Sequence, residues 1–162
     1  WMPDVCGAPV TDPEASATLA VEITLPATLA TDAVETDAEE TDERVPVAVT
    51  LRNDGPERIV GSSSSAPTLS FTRDATVVWH SYAIQDASAR VVDLEPGESM
   101  TYETYFERVI CGTEDDLVMD DPDGALPLAP AGDYEVRAVI VVTTDGGASL
   151  LATGPPQPFE IR

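Results

Sequence analysis

Residues Leu94–Ile110 read LEPGESMTYETYFERVI, and the spacing inside this stretch decides the fold class. Pro96-Gly97 supplies a turn, after which Met100, Tyr102, Phe106 and Ile110 recur at even spacing. Thr101, Glu103, Tyr105 and Glu107 sit between them, so one face is apolar and the other mostly polar. Successive side chains of a β-strand point to opposite faces, so this alternation predicts a strand buried on one side.

The same period recurs along the chain. Leu19, Val21, Ile23 and Leu25 alternate with Ala20, Glu22 and Thr24 and stop at Pro26. Val45, Val47, Val49 and Leu51 mark a second strand, closed by the turn signal Asn53-Asp54-Gly55-Pro56. Leu69 and Phe71 mark a third, with Arg73-Asp74 as its hairpin turn, and Thr76–Ile84 a fourth containing Val77, Val78, Trp79 and Tyr82. Val91–Leu94 forms a short strand before the quoted stretch. Gly61–Ser65 (GSSSS) reads as a flexible loop tip by composition. Pro130-Ala131-Gly132 then turns into Tyr134, Val136, Ala138, Ile140 and Val142, and Asp145-Gly146-Gly147 is a hairpin signal. Phe159 and Ile161 close the core from the last segment. Helical spacing with caps never persists. Each half-buried strand needs a facing layer, so the expected fold is all-β, a β-sandwich of roughly seven to nine antiparallel strands.

A chain of 162 residues with 43% hydrophobic content fits one domain with a real core. Residues 1–17, with Pro3, Pro9 and Pro13 and no periodicity, read as an extended lead-in, and 18–162 as a single sandwich. The 30 acidic residues against eight basic ones, all arginine, give a net charge of −22. Such a field repels nucleic acid and anionic lipid, so neither is an expected partner. The acidity reads as solubility through self-repulsion or as adaptation to a salty medium, which a salt titration of the melting temperature separates.

Cys6 and Cys111 are the two cysteines, and neither lies in a C-x-x-C pair. An even count fits one structural disulfide and an extracytoplasmic, oxidising compartment; the competing reading is two unrelated buried thiols. No run approaches the ~18 apolar residues of a membrane helix, so direct insertion by these residues is not expected. The start Trp1-Met2 reads as a mature or truncated fragment, with a leader or anchor upstream of Trp1.

Chemistry is sparse. Asp32–Glu43 carries seven acids in twelve residues and reads as a solvated loop, since a calcium loop would need glycine at its turn. Asp121-Pro122-Asp123-Gly124 resembles the middle of a calcium loop, but that frame puts Met119 and Pro130 at its end ligand positions, and the match fails. Asp115, Asp116, Asp120 and Asp123 remain as weak candidates for a looser cation site; no metal or other cofactor is expected. His80 is the single histidine, set in a strand beside Trp79, and no G-x-S-x-G elbow accompanies it. Trp79 reads as a sheet-packing residue, and Trp1 as exposed unless a partner or upstream chain covers it. No catalytic residue emerges, and the chain does not read as an enzyme.

Val77-Val78-Trp79, Leu94-Glu95-Pro96-Gly97-Glu98, Pro130-Ala131-Gly132-Asp133-Tyr134 and Phe159-Glu160-Ile161, in that order, resemble the bacterial intracellular proteinase inhibitor domain. The resemblance covers Val45 to Arg162 and implies an immunoglobulin-like sandwich and protease inhibition. The cysteine pair and the acidic Gly112–Ala129 insertion depart from that pattern. They look more like secreted or membrane-tethered relatives in bacteria with GC-rich genomes. The expected function is therefore a non-catalytic, extracytoplasmic protein-interaction module, an accessory or subunit of a cell-envelope assembly, with a protein partner of unknown identity. Proteinase inhibition is the first alternative and cation-dependent adhesion the second.

Overall fold

Tyr102 and Phe106 leave the quoted stretch on one side and are almost wholly buried, while Thr101, Glu103 and Tyr105 face solvent on the other. The computed structural model describes residues 6–26, 28–29, 44–81, 88–111 and 128–162. In chain order the strands are β1 (Leu19–Thr24), β2 (Thr28–Leu29), β3 (Arg44–Asn53), β4 (Ile59–Ser64), β5 (Thr68–Arg73), β6 (Thr76–His80), β7 (Ala89–Leu94), β8 (Ser99–Glu107), β9 (Gly132–Thr144), β10 (Ser149–Thr153) and β11 (Gln157–Ile161). Among the described residues no helix is long and apolar enough to cross a membrane.

The smaller sheet has the order β1-β3-β8 and is antiparallel throughout. Val49 lies opposite both Ile23 and Tyr102, and Leu51 opposite both Val21 and Met100, so three apolar rows share the inner face. The larger sheet is organised around β9, the longest strand at 13 residues. On one side of β9 run β11 and β10, end to end. On the other run β5 and β4, flanked in turn by β6 and β7. β2 adds parallel to β11. With the two-residue β2 as a short outer edge, broken strands thus make five columns facing three, eleven strands in all among the described residues, in an immunoglobulin-like β-sandwich.

Between the layers, Phe71 and Phe159 of the large sheet meet Phe106 of the small one, and Tyr134 packs on both of them. Ring centroids range from 4.6 Å (Phe71–Tyr134) to 5.8 Å (Tyr134–Phe159), the tilted and offset contacts that aromatic quadrupoles favour. Tyr134 donates its hydroxyl to Pro130 O at 2.5 Å, pinning the turn that precedes β9. That is the tyrosine corner of such sandwiches. Trp79 faces the core directly opposite Phe71, as its strand position predicts.

Two local expectations are corrected. Gly61–Ser64 is not a loop tip but most of β4, paired to β7 on one side and β9 on the other. Serine-rich composition disfavours a strand in isolation, but neighbours on both edges supply a complete ladder and bury Ser63. Second, Val109 rather than Ile110 takes the next fully buried position, because β8 ends at Glu107 and the chain leaves the sheet to pair Val109 with Leu128.

The lead-in is a strap. Gly7 N donates to Val77 O, Val77 N to Ala8 O and Val10 N to Ala75 O, so residues 7–10 pair along the outer edge of β6. Asp12 then pairs with Arg137 on the outer face of β9, and Ser16 N donates to Leu151 O of β10. Residues 7–16 therefore cross the outside of the large sheet from edge to edge. Ser70, Thr72, Val77 and Val139 on that outer face are buried.

Candidate functional site

The end of the sandwich that carries the β3–β4 turn, the β7–β8 turn and the β9–β10 hairpin is built on Asn53. Its side chain is fully buried, donating from Nδ2 to Glu57 O (2.7 Å) and Leu94 O (3.0 Å) and accepting at Oδ1 from Gly55 N (2.9 Å). Its backbone accepts from Gly97 N and donates to Glu98 O, so one residue ties the first turn to the second. Glu95–Glu98 closes as a turn through Glu98 N to Glu95 O, with Gly97 at a φ of 84°. Asp145 N donates to Val60 O, which docks the β9–β10 hairpin against β4.

Between the first turn and that hairpin lies a cleft of about 420 Å³. Ile59, Pro56 and Leu150 supply apolar surface, and Thr18, Thr144 and Asp145 polar surface. Arg58 also lines it, but its guanidinium is held by Asp93 through two bonds (2.8 and 2.7 Å) and by Glu95 at 3.4 Å. Those carboxylates raise the Arg58 pKa, and Arg58 in turn holds Asp93 below the usual carboxylate value. Arg52 is likewise engaged by Asp54 at 2.5 and 3.1 Å. The arginines of this end are thus occupied by their neighbours, whereas Glu57 and Asp145, both exposed at the cleft, form no ion pair among the described residues. The arrangement suits a ligand with apolar surface and positive charge; it holds no nucleophile with an adjacent base.

Cys6 and Cys111 form a disulfide with a Cα–Cα separation of 6.0 Å, which is compatible with an oxidising compartment. Cys111 N donates to Val78 O at 2.5 Å, so the bridge clamps the strap beside β6. His80 ends β6 half-buried, opposite Ser70. Asp115, Asp116, Asp120, Asp123 and Trp1 lie outside the described residues, as does Asp32–Glu43. Among the described residues no group of three or more His, Cys, Asp or Glu side chains is placed to hold a metal.

Sequence reasoning read Asn53 only as part of a turn signal and missed the cleft. The one available clue was a buried-strand pattern ending on asparagine, a side chain with enough donors and acceptors to bind several turns at once.

Fold and tyrosine corner together define an immunoglobulin-like β-sandwich. No family model matches the chain, and no curated protein matches it. Among solved structures, a Bordetella pertussis protein assigned as ApaA aligns at 14% identity over 92% of this chain and 98% of its own, with a TM-score of 0.47. A β-glucosidase (mutant D270A) from Listeria innocua in complex with laminaribiose aligns at 12% identity and a TM-score of 0.42, over 89% of this chain and 16% of its own. Native α-2-macroglobulin from Escherichia coli, from domain MG7 to its C-terminus, aligns at 17% identity and 0.43, over 91% of this chain and 17% of its own. At such scores these likenesses carry no argument about function.

Proposed function

We propose that this chain is a non-catalytic protein-interaction module of an extracytoplasmic assembly, docking a basic segment of its partner at the turn-bearing end. The observation that carries the proposal is the cleft between Gly55–Arg58 and Thr144–Gly146, with apolar walls and the uncompensated carboxylates Glu57 and Asp145. A net charge of −22 steers a basic partner toward the molecule, and a rim of unpaired carboxylates fixes where it settles. The Cys6–Cys111 disulfide supports a site of action outside the cytoplasm.

Crosslinking in the source cells, followed by identification of the attached protein, tests the reading. Capture should weaken with rising salt and fall strongly for Glu57→Arg and Asp145→Arg, while Glu103→Arg on the far sheet leaves it intact. Equal capture by all three variants would remove the cleft from the interface. Nanomolar inhibition of a serine protease by the intact chain would replace the reading with that of an inhibitor.

A further inference from the structure

Three Asp-Gly pairs occur in the chain: Asp54-Gly55, Asp123-Gly124 and Asp145-Gly146. Asp123-Gly124 lies outside the described residues. The other two stand at the same end of the sandwich, where Gly55, Asp145 and Gly146 all line the cleft. Glycine after aspartate has no Cβ to shield its amide nitrogen or to restrict the turn around it. That nitrogen can attack the side-chain carboxyl and close a five-membered ring. The attack needs a free amide, a carboxyl that is not held as a paired anion, and room for the chain to turn.

Asp54-Gly55 meets none of these conditions. Gly55 N donates to Asn53 Oδ1 at 2.9 Å, and Asp54 N to Thr18 O at 2.9 Å. Arg52 holds the Asp54 carboxylate at 2.5 and 3.1 Å and keeps its pKa below the ordinary value, so the neutral acid that can lose water is scarce. A Cβ on Gly55 would meet the Thr18 side chain at 3.0 Å, so the backbone there is packed in place.

Asp145-Gly146 meets all three. Both residues are exposed at the tip of the β9–β10 hairpin. Gly146 N has no hydrogen-bond partner among the described residues, although its neighbours do: Asp145 N donates to Val60 O and Gly147 N to Thr144 O. The Asp145 carboxylate forms no ion pair among the described residues. A Cβ on Gly146 would find nothing nearer than the Thr144 hydroxyl at 3.8 Å.

We infer that Asp145 is a site of spontaneous isoaspartate formation, and that the fold spares Asp54. Gly146 N bonds to the side-chain carboxyl carbon of Asp145 and loses its proton, and a carboxyl oxygen leaves as water, giving a cyclic imide. Water then reopens the ring. Attack at the side-chain carbonyl restores aspartate. Attack at the main-chain carbonyl leaves the backbone running through Cβ and Cγ, with the former main-chain carboxyl as the free acid. The net change conserves mass and charge but lengthens the hairpin by one backbone atom. It disturbs the Gly147 N to Thr144 O turn and re-aims a carboxylate at the cleft. The modification stands on the hairpin's geometry alone; its consequence for docking rests on the proposed function.

Ageing the oxidised chain for several weeks at neutral pH and physiological temperature, followed by peptide mapping with electron-transfer fragmentation, tests the inference. Isoaspartate should accumulate at residue 145 at least tenfold faster than at residue 54, with the ring visible as a transient loss of one water. Isoaspartyl methyltransferase with labelled S-adenosylmethionine should mark the same peptide. In the chain reduced and unfolded in guanidinium chloride the two sites should react at comparable rates, because the bonds that guard Asp54 are gone. Gly146→Ala should slow the reaction at Asp145 at least tenfold. Equal rates at the two sites of the folded chain, faster modification at Asp54, or one ratio in folded and unfolded chains alike would overturn the inference. Capture of the partner should fall in step with the isoaspartate fraction. Undiminished capture by the converted chain would overturn the cleft reading while leaving the modification in place.

Discussion

Ser63 Oγ and Tyr102 OH meet at 2.7 Å between the two sheets, both groups buried. Ser63 comes from a stretch whose composition resembles a linker, and Tyr102 from the most strongly patterned strand of the chain. Arg90 closes the same side of the sandwich, its guanidinium carbon 4.4 Å from the centre of the Tyr102 ring. Removing the Ser63 hydroxyl leaves the buried Tyr102 hydroxyl only the Met100 sulfur at 3.8 Å, at a cost of about 1–3 kcal/mol. Removing the Tyr102 hydroxyl leaves Ser63 its bond to Ser64 O at 3.0 Å, and removing both costs less than the sum. Urea unfolding of Ser63→Ala, Tyr102→Phe and the double variant should therefore show a double loss smaller than the two single losses added together. Strict additivity would show that the bond contributes nothing.

Asn53→Ala should destabilise the chain by about 2–4 kcal/mol, because it leaves the Glu57 and Leu94 carbonyls and the Gly55 amide without their partner. Asn53→Asp should also be costly, since a carboxylate cannot donate to two carbonyls. Thermal unfolding measures both, and the β3–β4 turn should show faster amide exchange than the rest of the sandwich.

The disulfide links residues 105 positions apart. Cys6→Ser with Cys111→Ser should lower stability by about 2–5 kcal/mol, the range for a bridge closing a long loop. The strap keeps its backbone bonds to Val77, Ala75 and Leu151, so the variant should fold and protect the strap amides less than the core. Unchanged exchange at residues 7–10 would show that hydrogen bonds alone hold the strap.

Gly61→Ala and Gly154→Ala should each cost about 1–3 kcal/mol or more, because an added Cβ would collide with backbone: Thr143 O in one case and Val21 O in the other. Gly146→Ala, whose nearest neighbour is the Thr144 hydroxyl at 3.8 Å, should be close to neutral. Chemical denaturation of the three variants checks the ordering.

Burial raises the Tyr134 hydroxyl above the ordinary tyrosine value, with Arg73 opposing the shift. The folded chain then holds that proton more tightly than the unfolded one. Its contribution to stability is intact below about pH 10 and declines as pH rises toward the folded-state value. The urea midpoint should fall in alkali, and Tyr134→Phe should fall less steeply over the same range; identical slopes would contradict the shift.

Much of this was legible in the sequence. Alternation at Leu19–Leu25, Val45–Leu51, Met100–Phe106 and Tyr134–Val142 identified four strands and their buried faces, and the structure places them so. Single-residue details failed where chain direction changes, as at Val109 and Ile110. Gly61–Ser64 failed for a different reason: its strand state is imposed by β7 and β9, which lie far away in sequence.

By itself, then, the sequence determined the all-β class and which side of each patterned strand is buried, because both follow from a two-residue period within a few neighbouring positions. Only the tertiary structure decided that residues 7–16 strap the large sheet and that Asn53 joins two turns beside a cleft. Each of these depends on register between segments widely separated in the chain, and register is set by the packing of the whole core rather than by any local pattern.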